Sequence, residues 1–374
     1  MRRKSFRARV CLVLLVVFAA AFLFPAARTG NSRLYVLFVA VTCGMLLLLL
    51  LPAGIFTLDR PLIAAAILLC GFGIMAPVLV SPDEAVSQGL HCIPALFFLL
   101  AGCIMVRSFR FSWASAAIAG VCSLGVLSVP LIFSQLPFSL TEGGTVLMLF
   151  ALSSFLALRL RLPALFFTLS ALAPILIRQD ANGAIIWALT GVLLFWAASD
   201  SLLWSVISLI LCGGFTAAFF ILFCGNLPVA HDSVLQLFAS MPLVVAEWPV
   251  KTASAPADSL FILLGEQFGF ILLFCALSLL CMLLIRAASV SLHTRKVFHA
   301  SLALGALLLI GLKGLLFMLS LTDILPLPQG SFPLMSVSVS ELCAEFFMLG
   351  IISGVSTRND ADLTEDARIS ILAH

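Results

Sequence analysis

Long apolar stretches recur along this chain, separated by short polar interruptions. Twelve such runs cover roughly 10–27, 34–56, 61–80, 90–106, 113–134, 143–158, 162–177, 183–199, 202–225, 260–285, 298–321 and 337–355. A helix crosses a bilayer in about 20 residues. Lipid tolerates only helices and closed barrels as spanning elements, and these runs lack the alternation of strands. The pattern predicts an all-α fold: a polytopic transmembrane helix bundle of about twelve helices. The longest connection, 226–259, contains "SVLQLFASMPLVVAEW", apolar enough to lie on the membrane surface or to cap the bundle. After residue 355 the pattern stops, and "DADLTEDAR" marks 356–374 as a solvated polar tail.

Charge orients the bundle. The opening "MRRKSFRAR" carries five basic residues and no acid, which reads as a cytoplasmic anchor. If the N-terminus is inside and each run crosses once, fifteen basic residues fall in inside segments. Only Arg28, Arg33, Arg178 and Lys251 fall outside, and Lys313 lies within a run. A miscount by one helix would spoil that bias, so both termini are expected in the cytoplasm. The first run also resembles a secretory signal peptide ending near "FPAARTG". Cleavage there would leave the rest of the topology unchanged.

Composition agrees with the pattern and narrows the chemistry. The chain of 374 residues is 63% hydrophobic and 10% charged, with a net charge of +3, against about 45–50% and 25% for soluble domains. None of the eleven cysteines forms a CxxC pair, and nearly all lie in apolar runs, as small buried hydrophobes do. The histidines at 91, 231, 293, 299 and 374 offer no metal-ligand spacing. No phosphate-binding glycine loop, nucleic-acid patch or internal repeat is visible.

Ionisable residues inside the runs ask for an explanation, because a charge in hydrocarbon costs about 2.5–3.5 kcal/mol even on lenient scales. Glu266, Lys313, Glu341 and Glu345 all fall in the last three runs. At 1.5 Å per residue, Glu266 lies roughly 12 Å below Asp258, and Lys313 and Glu345 lie roughly 13 Å deep. Common depth suggests one buried polar cluster, with Glu341 a turn from Glu345 on the same face. It either pins helices together or floors an outward-facing cavity that binds an anion or tunes a carboxylate. Asp258 stands at the threshold of its run in "ADSLFILLGEQFGF". As an N-cap it would stabilise the helix by about 1 kcal/mol.

The same stretch resembles a segment of the SEDS family, the FtsW/RodA/SpoVE type, in the pattern D-F-I-F-A-V-I-G-E-E-L-G-F. Asp258, Phe261, Gly265, Glu266, Gly269 and Phe270 carry the match. Between the last two runs, "LPLPQGSFPLMSVSVSEL" is similar to the family's L-P-V-T-G-I-P-L-P-F-I-S-Y-G-G-S-S-L. It keeps Leu325, Pro326, Pro333, Ser336, Ser340 and Leu342. "QDANG" resembles Q-P-D-L-G at Gln179 and Gly183, with Ala181 at the family's Asp and Asp180 beside it. "LDRPLIAAAILLCGFGIMAPVLVS" resembles the family's first helix at Asp59, Gly71, Gly73, Met75 and Ser81. Where the family has Q-P-S-E-x-A-K, this chain has "TEGGTVL", with Gly144 for the Glu and Leu147 for the Lys. Lys313 replaces a family Gln.

The resemblance implies a ten-helix core over 59–355, two extra N-terminal helices in 1–58 and a cytoplasmic tail at 356–374. It implies residence in a bacterial cytoplasmic membrane and cell-wall synthesis in elongation, division or sporulation. The implied reaction is inverting glycosyl transfer from lipid II at the outer membrane face. A base must take a proton from the attacking hydroxyl, and positive charge must meet the departing diphosphate. Asp258 is the implied base. Lys251 and Arg178 are candidates for the diphosphate, and Mg2+ or Mn2+ is the candidate cofactor in place of, or beside, them. Glu266, Gln179, Lys313, Pro333, Ser336, Ser340 and Glu345 are implied as substrate-binding or site-supporting. The implied protein partner is a class B penicillin-binding protein. A degenerate scaffold that binds lipid II, or a lipid-linked-oligosaccharide flippase, is the alternative.

Overall fold

In the computed structural model the chain is a helix bundle, with no β-strand among the described residues. The described residues are 32–50, 59–109, 112–132, 140–198, 202–223, 260–321 and 330–372, with scattered positions from 16 to 30. Only the backbone is described at 45–50 and after 358. The helices are α1 (Ser32–Leu50), α2 (Arg60–Met75), α3 (Pro82–Ser108), α4 (Trp113–Ile132), α5 (Thr141–Ala157) and α6 (Arg161–Ile177). They continue as α7 (Ala181–Ala198), α8 (Leu202–Phe223), α9 (Leu260–Phe268), α10 (Phe270–Leu292), α11 (Val297–Leu321) and α12 (Val339–Leu372). A 3-10 turn, Ala76–Leu79, prolongs α2. Seven of these segments are long and apolar enough to cross a membrane, and four shorter apolar helices accompany them. The chain is a multi-pass membrane protein. Most of the run at 10–27, the loop 226–259 and Pro326 lie outside the described residues.

Three boundaries depart from the apolar pattern, each for a physical reason. α3 starts at Pro82 rather than near 90, because its first turns are polar yet well suited to a helix start. Proline stands at the first position, followed by Asp83 and Glu84 beside the positive helix end. The run 260–285 is two helices. Gly269, at φ 88° and ψ 170°, separates α9 from α10 in a conformation open essentially to glycine. Hydropathy carries no information about φ, so the run reads as continuous. The last helix also passes through the polar tail as far as Leu372.

α2 is apolar all round, and all residues from Leu62 to Met75 are buried. Such a helix belongs at the centre of its bundle. It is enclosed by α1, α3, α9, α10 and α12. α3 and α12 approach each other most closely through small residues. A methyl group on Gly102 would run into the Phe347 carbonyl, and one on Gly350 into the Leu99 carbonyl. Without a hydrophobic drive between helices in lipid, close backbone contact of this kind supplies the attraction. Polar cross-ties do the rest: Ser123 Oγ donates to Gly144 O (2.7 Å), and Trp187 Nε1 donates to Thr168 O (3.1 Å).

At one end of the bundle, Asp59 clamps three helices. Its carboxylate accepts Arg286 Nη2 at 2.7 Å, Arg286 Nε at 3.0 Å and Ser356 Oγ at 3.0 Å. Its own N–H donates to Ser353 Oγ at 2.9 Å. The start of α2 is thereby tied to α10 and to α12.

Candidate functional site

The second ionic cluster lies at the start of α12. The rise of a helix puts Glu341 roughly 22 Å from Ser356. Lys313, on α11, forms ion pairs with both Glu341 and Glu345 of α12. The glutamates also grip the segment that precedes their own helix. Ser331 Oγ donates to Glu341 Oε1 at 2.6 Å, and the Ser336 hydroxyl donates to Glu341 as well. The Leu334 N–H donates to Glu345 Oε2 at 2.6 Å. Leu334 has φ 63°, a left-handed conformation costly for a branched side chain. The buried carboxylate of Glu345 holds that turn in place. Gln88 Nε2, from α3, donates to Ser336 O at 2.7 Å and fixes the segment from the far side. Phe261 of α9 stacks on Phe332, with ring centroids 4.4 Å apart.

This cluster forms one wall of a cavity of about 510 Å³, a size typical of small-molecule sites. α5 contributes Thr141, Glu142 and Thr145, and α7 with its preceding turn contributes Asp180, Asn182, Gly183 and Trp187. Leu309, Leu316, Phe317 and Met348 give the apolar part of the lining, and Ser331, Ser336 and Ser338 complete the polar rim. The exposed Arg178 donates to the Thr141 hydroxyl, joining the α6–α7 turn to α5. Gln179 turns the chain at φ 59°. Asp180 Oδ1 accepts the Gly183 N–H at 2.9 Å. Burial pushes the Asp180 carboxyl above the usual aspartate range, against the Gly183 N–H and the Arg178 charge.

The residues singled out in the sequence fall in several places. Lys313, Glu345, Glu341 and Ser336 meet at the cavity wall. Pro333 is buried beside them, next to Gly314. Ser340 lies at the start of α12, with its hydroxyl 2.9 Å from Ser338 Oγ. Glu266 sits on α9 and is not part of this cavity's lining. Asp258 and Lys251 lie outside the described residues. Asp180, Glu142 and Thr141 are the cavity groups that sequence reasoning passed over. Asp180 stands in "QDANG" beside Ala181, and Thr141 and Glu142 open "TEGGTVL", in which Gly144 replaces a family Glu.

Charge decides what the cavity favours. Among the described residues, four carboxylates, Glu142, Asp180, Glu341 and Glu345, share the lining with one ammonium, Lys313. Such a lining repels a bare anion and suits hydrogen-bond donors. Among the described residues, no three His, Cys, Asp or Glu side chains converge as a metal site.

The architecture defines a class before it defines a family. The helical bundle is shared with solved structures. Rod shape determining protein RodA of Thermus thermophilus superposes with a TM-score of 0.60 at 18% identity, covering 82% of this chain and 98% of RodA. A chain of a peptidoglycan synthase complex that coordinates polymerization and crosslinking superposes at 0.60 and 17% identity, covering 81% and 98%. Residues 252–361 match the FTSW_RODA_SPOVE family model, described as a cell cycle protein. Over 104 residues the chain is 31% identical to the probable peptidoglycan glycosyltransferase FtsW of Geobacter metallireducens. It is 30% identical to that of Geobacter sulfurreducens. These alignments cover 28% of this chain and 28% of each relative. The sequence similarity to the FTSW_RODA_SPOVE family falls in residues 252–361, and the fold is shared with RodA over 82% of this chain.

Proposed function

We propose that this protein is a peptidoglycan glycosyltransferase of the bacterial cytoplasmic membrane, with both termini in the cytoplasm. It extends glycan strands from lipid II during elongation, division or sporulation. The observation that carries this reading is the coincidence of kinship and chemistry. The segment matching the family model, 252–361, supplies Lys313, Glu341 and Glu345, the ionic wall of the cavity.

In this reading a sugar hydroxyl attacks the anomeric carbon of a second lipid-linked sugar. The C–O bond to the diphosphate breaks, and its electron pair leaves with undecaprenyl diphosphate. Asp258 takes the hydroxyl proton, as an acid placed where a long external segment returns to the membrane. Lys251 and Arg178 face the departing diphosphate from the same side, alone or with a divalent cation. The serine-rich segment around Pro333, Ser336 and Ser340, with Lys313 and Glu345 against it, shapes the surface on which the sugar rests, and Gln179 and Glu266 support the elements around it. A class B penicillin-binding protein crosslinks the product.

The test uses purified protein with its transpeptidase partner and labelled lipid II. Wild type is expected to make strands, and Asp258→Ala to make none. Equal product from both would end the assignment of Asp258. No product from either would leave the chain as a lipid II-binding scaffold.

A further inference from the structure

Two carboxylates of the cavity lining, Glu142 and Asp180, stand outside the ionic wall, and Asp180 is the one whose hydrogen bonds are defined. Lys313, Ser331, Ser336 and the Leu334 N–H occupy Glu341 and Glu345. Asp180 reaches the same cavity from the α6–α7 turn. Its Oδ1 accepts the Gly183 N–H, and its Oδ2 takes no hydrogen bond from any described residue. The local backbone is shaped around this side chain. Gln179 adopts a left-handed φ of 59° just before it, a conformation uncommon outside glycine. Gly183 leaves open the space the carboxylate fills, since a methyl group there would run into it.

A lone helix cap explains the Oδ1 contact but not the rest. A cap needs neither a cavity in front of it nor a free second oxygen. The excess of acid in the lining argues against a phosphate as the neighbour, because among the described residues four carboxylates meet one ammonium. A neutral polyol fits instead. Its hydroxyls donate, the carboxylate only accepts, and hydrogen bonds to an ionised acceptor are the stronger kind.

We propose that Asp180 is a substrate-binding carboxylate whose Oδ2 accepts a hydroxyl hydrogen bond from the sugar of a lipid-linked glycan seated in this cavity. The inference rests on the glycan reading above and deepens it by assigning the sugar, rather than the diphosphate, to the space between α5, α7, α11 and α12. Asp180 binds; it takes no proton from the reacting hydroxyl.

Asparagine separates the cap from the ligand. It accepts the Gly183 N–H about as well as aspartate does, so Asp180→Asn keeps the helix start while removing the charge. The full-length protein with its transpeptidase partner is assayed on labelled lipid II, and lipid II binding is measured in parallel by native mass spectrometry. Asp180→Asn is expected to unfold at or above the wild-type temperature, since it removes a buried charge and keeps the cap. It is also expected to raise KM at least tenfold, the effect of losing one hydrogen bond to a charged group, with a smaller change in kcat. An unchanged KM alongside active wild type overturns this inference and leaves the glycosyltransferase reading standing. If wild type makes no strands, that reading fails and the binding measurement decides. Lipid II held by wild type and at least tenfold more weakly by Asp180→Asn upholds the sugar site. Equal binding, or none, overturns it.

Discussion

Two ionic clusters tie this bundle together, one at the start of α12 and one near its middle, and they are built on opposite principles. At the Asp59 end, one carboxylate meets one guanidinium in a two-pronged pair, and serine hydroxyls take the remaining positions. Among the described residues the Asp59 carboxylate is held by Arg286 and Ser356, and its side chain is only 2% exposed. At the Lys313 end, one ammonium serves two carboxylates, and a cavity with two further acids opens beside it. A balanced cluster facing helices fixes structure. An unbalanced cluster facing a void has capacity left for a ligand. Intramembrane charge therefore marks function less by its presence than by what remains after local pairing.

The comparison can be broken by mutation. Arg286→Met strands Asp59 in a buried site and is expected to cost about 3 kcal/mol, the scale for breaking a buried pair. Adding Asp59→Asn should recover more than half of that in detergent unfolding measurements. A loss under about 1 kcal/mol would deny the clamp its role. Lys313→Met should cost less, about 2 kcal/mol, because Glu341 and Glu345 keep their serine and backbone donors and one can protonate. It should, however, lower strand synthesis at least tenfold. Unchanged folding with unchanged synthesis would make this cluster a second clamp.

Gly269→Ala probes the cavity end through the backbone rather than through charge. Forcing a Cβ to φ 88° should cost about 1.5 kcal/mol in the same unfolding measurement. An unaltered midpoint would mean that α9 and α10 join without the break. The smallest effect concerns Asp180. Its folded carboxyl titrates above the unfolded one. Its contribution to stability is therefore full below the unfolded value and lost as pH rises through the raised folded value. Asp180→Asn should flatten that part of the stability–pH curve, and a curve identical to wild type would count against the buried placement of Asp180.

The bundle was legible because spanning a bilayer demands long apolar segments, and composition alone exposes them. The cavity was partly legible. Lys313, Glu341 and Glu345 stood out because charge in an apolar run is rare. Asp180 and Glu142 did not, because they lie at run ends where polar residues need no explanation. The break at Gly269 was hidden for another reason: glycine is common in membrane helices, and only its dihedral angles distinguish a hinge from a helical turn.

By itself, the sequence determined that this chain is an all-helical membrane protein, and its C-terminal segment carried the resemblance to the SEDS family. Those properties are written in hydropathy and in short motifs, which are local along the chain. Only the tertiary structure decided that Lys313 meets Glu341 and Glu345 while Arg286 meets Asp59, and that the described cavity lies beside the first cluster. Partnership and empty space depend on side chains tens to hundreds of residues apart meeting in three dimensions, and no local pattern encodes which of them do.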